Sequence, residues 1–230
     1  MNRVLARLGR GARRIGLPLA VAVAALVALV LTRHRPAPPD FSGTDVVRVG
    51  VSQGASIPGY LTGARSRLAA LPAGTQVYAL VSFGGYLAPD AVGPVLAGTE
   101  PFRVYTRVPL PLTQTALVSI PVARLPEDLV VGMDAEAGRR ADEARRTGDP
   151  VAATEADRYR QHCACAYAAV VRADAVALSA LAGRPQVRAV DPAPAVTRLD
   201  RAVFLPPLPE QSGTAAPPEQ TAWPSGAPPR

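Results

Sequence analysis

The chain has 230 residues and a formal charge of +7, and all 25 of its basic residues other than histidine are arginine. That length allows one domain of ordinary size with appendages, and the lack of lysine excludes Schiff-base and phosphate-loop lysine chemistry. Arg3, Arg7, Arg10, Arg13, Arg14, Arg33 and Arg35 precede the first acidic residue, Asp40, and the other 18 arginines balance 18 carboxylates, so no folded part carries the basic excess that nucleic-acid binding requires.

Residues 1–14 are the arginine-rich start. Ile15 to Leu31 (IGLPLAVAVAALVALVL) is a run of 17 residues without a charge, about 25 Å as a helix, and is predicted to cross a bilayer. A signal peptide has a similar apolar core, but here Ala20-Val21-Ala22 lies inside the run and Thr32-Arg33-His34-Arg35 ends it, so an uncleaved anchor is expected. Five arginines before the run and two after it place the N-terminus in the cytoplasm and the rest of the chain outside. Residues 32–45 contain Pro36 to Thr44 (PAPPDFSGT) and read as an extended linker.

An extracytoplasmic α+β domain is predicted over 46–204. Val46 to Val51 reads as a strand and Pro58 to Leu71 as a helix with Leu61, Leu68 and Leu71 on one side. Gln76 to Phe83 is a strand rich in β-formers; Pro89 opens a helix that Gly98 closes. Phe102 to Val108 alternates Arg103, Tyr105 and Arg107 with Val104, Thr106 and Val108, the pattern of a half-buried strand. Thr113 to Val122 allows a further strand. Pro126 to Arg160 is a polar helical insertion broken at Gly148-Asp149-Pro150, in which Glu136 with Arg140 and Asp142 with Arg146 are read as pairs on a solvated face. Ala166 to Arg172 is a strand, Asp174 caps a helix ending at Gly183, and Val187 to Val190 is a last strand. Two strand-helix-strand units in this order predict a ferredoxin-like, split βαβ sheet with both helices on one face. Residues 205–230 (from PPLPEQSG onward) are proline-rich and predicted to be a disordered tail.

The second unit, AVVRADAVALSALAGRPQVRAVDPAP over 169–194, resembles the end of subtilisin-type propeptides and related protease inhibitors, which implies a ferredoxin-like closing unit. The anchored, alanine- and arginine-rich chain as a whole resembles single-pass envelope proteins common in actinobacteria, which implies a bacterial cell-envelope setting.

The one group with reactive chemistry is His162-Cys163-Ala164-Cys165. Two thiols beside an imidazole allow a soft-metal site, a disulfide or two packed free thiols. In a regular strand Cys163 and Cys165 would share a face with Tyr167, and their Cα atoms would lie about 6.5–7 Å apart, so a bridge would need a turn or bulge. His162 is the one imidazole available as a base, and no serine sits in a nucleophile-elbow pattern. Glu127-Asp128 and Asp142-Glu143 are adjacent on helices and point in different directions. No catalytic, cofactor-binding or metal-ligating residue is assigned, and no cofactor is expected. The expected function is a non-enzymatic binding module whose partners are the bilayer, through 15–31, and another envelope protein; the alternative is a redox or metal-linked activity at Cys163 and Cys165.

Overall fold

A computed structural model describes residues 46–216. The expected cytoplasmic segment 1–14, membrane span 15–31, linker 32–45 and the tail from 217 onward lie outside the described residues. Among the described residues no helix is long and apolar enough to cross a membrane.

The fold is mixed α+β. Its central sheet has five strands in the order β4-β3-β5-β2-β6, where β2 is Val77–Leu87, β3 Glu100–Thr106, β4 Val118–Pro121, β5 Ala166–Ala173 and β6 Val187–Ala193. β5 runs antiparallel between β3 and β2, and β6 pairs antiparallel with the far edge of β2. β2 and β3 are therefore parallel with β5 between them, as are β5 and β6 with β2 between them. Each such pair requires a crossover, and a helix supplies it: α2 (Pro89–Val95) links β2 to β3, and α5 (Ala175–Ala182) links β5 to β6.

Local chemistry explains where these helices begin and end. Pro89 starts α2, where a missing N–H costs nothing, and the helix runs through Pro94 to Val95, with Leu96 as its C-cap. The Asp174 carboxylate accepts the Ala177 N–H at 2.8 Å and caps α5. Beyond α5, Arg184 reaches back to the Val95 and Ala97 carbonyls at 2.5 and 2.8 Å, so the ends of the two crossovers are tied together.

One core lies between the sheet and the helices. Val81, Phe83, Val104 and Ala169 meet Val92 of α2 and Leu178 and Leu181 of α5 there, so both crossovers share one face of the sheet. The same core takes Leu129 and Met133 of α3 (Glu127–Thr147) and Tyr159 of α4 (Pro150–Arg160). These two helices form a hairpin that turns at Gly148, left-handed at φ 73°, before Asp149 caps α4.

The second face of the sheet is covered as well, which corrects the half-buried reading of 102–108. Leu80, Tyr105, Tyr167 and Val170 form a separate core with Val49 and Phe204. The last two belong to a small parallel sheet of β1 (Val47–Gly50) and β7 (Ala202–Leu205). Gly50, at φ 113°, pairs with Leu205, whose carbonyl occupies the space a Cβ would need. α1 (Ile57–Ala69) packs against β6 and joins it through Arg67 Nε to the buried Asp191 carboxylate at 2.7 Å. The alternation of β3 is real, but its Arg-Tyr-Arg side meets a second layer of protein.

The expected boundary at 204 also moves. Residues 206–216 lie on this second face, with Leu208 and Ala215 buried, and Thr214 bridges to Ser56. Pro206, Pro207 and Pro209 have no N–H for a ladder; Arg188 of β6 takes the carbonyls of Leu208, Pro209 and Gln211, and the backbone of residues 54–57 pairs with 213–215.

Candidate functional site

The cysteines lie where α4 hands over to β5. His162 takes a left-handed backbone, φ 49°, with its N–H on the Tyr159 carbonyl and Nε2 against Asp134 Oδ1 at 2.8 Å. This turn brings the Cα atoms of Cys163 and Cys165 to 5.3 Å, and a disulfide joins the two residues. The strand spacing that disfavoured a bridge does not apply, because only Cys165 has entered the sheet, donating to the Leu87 carbonyl at 3.1 Å. Cys165 is fully buried and Cys163 half-buried. They do not share a face with Tyr167: Cys165 belongs to the helix-side core and Tyr167 to the other, since the register shifts opposite Tyr105 and Thr106. Among the described residues no cluster of three or more metal-ligating side chains occurs.

The acidic pairs behave differently from one another. Asp128 accepts the N–H groups of Ala123 and Arg124, contacts that hold its carboxyl below the usual range. Asp142 pairs with Arg145, one residue short of the expected Arg146. Glu136 does meet Arg140, at 2.8 Å, but not on a solvated face: it is 3% exposed because α4 folds back against α3. Glu155 of α4 is equally buried, stands 3.8 Å from Arg140, and accepts the Ala116 N–H at 2.8 Å. Burial raises the Glu155 carboxyl above its ordinary value, against the lowering effects of Ala116 and Arg140.

A second concave feature lies between the β3–β4 connection, β7 and residues 206–216. A cleft of about 390 Å³ opens there, walled by Tyr105, Leu117, Tyr167, Phe204 and Leu208. Arg107, just past the end of β3, enters it and is 3% exposed. Its guanidinium donates to the Tyr86 hydroxyl at 3.0 Å and the Thr113 carbonyl at 3.0 Å, and forms an ion pair with Glu210. Tyr86 completes the triangle by donating to Glu210 at 3.0 Å. Burial pushes the Tyr86 phenol up to about 12, with Arg107 pulling the other way, so it stays a protonated donor at neutral pH. Tyr86 and Tyr167 stack edge to face at 6.2 Å.

None of these three polar residues was a site candidate in the sequence. Arg107 ends the alternating run as one of three apparently outward residues. Glu210 sits in the proline-rich stretch, where composition alone predicts disorder. A carboxylate between Pro209 and Gln211, with Leu208 two residues before it, was the one available signal.

Comparison with known proteins finds no matching family model, no similar curated protein and no similar solved structure. The geometry of the cleft therefore carries the functional reading.

Proposed function

We propose that the chain is a single-pass, membrane-anchored protein whose extracytoplasmic, ferredoxin-like domain is a non-enzymatic binding module for another protein of the cell envelope. The strand order β3-β5-β2-β6 with crossover helices α2 and α5 supports the ferredoxin-like reading, with β4 as an added edge and α3–α4 as the insertion. The arginine distribution around the apolar run 15–31 supports the anchor.

The observation that carries the binding reading is the cleft: a concave, mostly apolar surface with Leu117 exposed at its rim and one buried guanidinium inside. Apolar walls with a single fixed charge suit recognition of an amphipathic partner. The disulfide supports a structural part for the cysteines, since Cys165 is enclosed and its bridge closes the turn into β5. Site-specific photocrosslinking of the intact anchored chain tests the proposal. A photoreactive residue at Leu117 should give an adduct with one envelope protein, and the same probe at Val176, exposed on the helical side, should not. Equal adducts from both positions, or none from Leu117, would remove the cleft as the binding surface.

A further inference from the structure

We infer that the edge of the cleft formed by Arg107, Tyr86 and Arg188 is a peptide site which the chain fills with its own Leu208-Pro209-Glu210-Gln211 turn, and that its ligand on a partner is a proline-flanked turn carrying a glutamate. The inference rests on the binding-module reading and names the chemistry of the partner.

The manner in which 208–211 is held is that of a peptide in a receptor. The segment belongs to no strand or helix, yet Leu208 is buried in the second core. Its backbone is read by side chains of the sheet. Arg188 of β6 donates to the Leu208, Pro209 and Gln211 carbonyls at 3.1, 3.3 and 2.5 Å. Arg107 and Tyr86 take the Glu210 carboxylate. The Gln211 N–H closes a turn on the Leu208 carbonyl at 3.1 Å, so two arginines recognise three carbonyls and one carboxylate through charge-assisted contacts that depend on this turn and on an acidic side chain.

The exposures on the two sides of the ion pair show which partner can leave. Arg107 is 3% exposed and Glu210 45% exposed. The guanidinium is part of the protein interior and cannot stay there without an anion. The carboxylate is half in water on a segment outside the sheet. Exchange therefore requires an incoming ligand that brings its own carboxylate, which is the basis of selectivity. Beside the segment the cleft retains about 390 Å³ between Tyr105, Leu117 and Phe204, space for residues flanking the incoming glutamate. The tripeptide at 209–211 also recurs as Pro218-Glu219-Gln220, which marks Pro-Glu-Gln as a unit of this C-terminal sequence.

The probe is a labelled synthetic peptide with the sequence of residues 206–213, PPLPEQSG, added to the full chain in nanodiscs and read by fluorescence anisotropy. Glu210→Ala removes the internal competitor, so it should bind the peptide about tenfold or more tighter than the native chain. Replacing the peptide's glutamate by glutamine should cost about tenfold. Adding Arg107→Met to Glu210→Ala, which leaves no unpaired charge, should abolish binding. A measurement on the native chain guards against misfolded variants: excess peptide should speed hydrogen exchange at the Leu208 amide, which Gln211 Oε1 now accepts at 2.9 Å. Absence of peptide binding by folded Glu210→Ala, or binding indifferent to Arg107, would overturn the inference. So would Arg107-dependent self-association, which would make a second copy the occupant. Adducts at Leu117 without peptide binding would sink this inference alone, and peptide binding without such adducts would sink only the binding-module reading.

Discussion

Two glycines of α3 show how differently one residue type is used along a single helix. A Cβ on Gly132 would collide with Cγ2 of the buried Ile120 of β4, a β-branched side chain with little rotameric freedom. A Cβ on Gly138 meets nothing within 4 Å. Gly132→Ala should therefore cost about 1–3 kcal/mol through overpacking, despite the better helix former. Gly138→Ala should gain about 0.5–1 kcal/mol, and denaturant midpoints of the two variants provide the comparison. Glu155 supplies a pH test. Its folded-state carboxyl is raised by burial, so the folded chain binds that proton more readily than the unfolded one. The stability this contributes is fully present below the unfolded-state value and is lost as pH rises through the higher folded-state value. Glu155→Gln removes the titration, so its stability relative to the native chain should climb as pH rises from the ordinary glutamate range through the higher folded-state value, followed by urea unfolding. A constant difference would mean that the ionised carboxylate is fully compensated by Arg140 and Ala116.

Between elements, the connections decide more than the elements themselves. The turn from α4 into β5 converts a Cys-x-Cys that a strand would hold apart into a bridge, with Cys163 toward a cleft beside Val108 and Arg158 and Cys165 inside the core. Native protein should resist alkylation, and after mild reduction Cys163 should be labelled well before Cys165, as peptide mass mapping will show. Labelling of both thiols without reductant would contradict the bridge. Replacing both cysteines by alanine should cost roughly 2 kcal/mol, because so short a closed loop removes little unfolded-state entropy. The α3–α4 hairpin is the other case. Glu136 and Arg140 stand four apart on what looks like a solvent face, and the return of α4 turns that face inward and adds Glu155 to the pair. Helix periodicity shows which residues share a face, but what lies opposite that face is a property of the connection.

For the whole molecule, the layers follow from the two crossovers, which leave one face of the sheet to helices and the other to β1, β7, α1 and the C-terminal segment. The membrane topology is an independent proposal and has its own test. A reporter active only outside the cytoplasm, fused after Asp40 in the linker, should be active, and the protein should remain with membranes after carbonate washing. Release of a shorter soluble form starting near residue 23 or 33 would identify 15–31 as a cleaved signal peptide instead.

The sequence by itself determined the five helices and six of the seven strands of the described residues, because local rules govern them: proline at a helix start, aspartate at a cap, β-branched runs in strands, Gly148-Asp149-Pro150 between two helices; it missed β7, and it stopped β2 and β6 short of Leu87 and Ala193. It also determined where the charge lies. Only tertiary structure decided what each face meets. Arg107 reads as solvent-facing until the second layer covers it, Glu210 as disordered until Arg107 and Arg188 hold its segment, and Cys163 and Cys165 as too far apart until His162 turns the chain. The third is a local turn that regular strand spacing does not describe, and the first two share one physical reason. Burial and ion pairing arise between residues far apart in the chain, 103 positions in the case of Arg107 and Glu210, and periodicity carries no information about what will pack on a face from that distance.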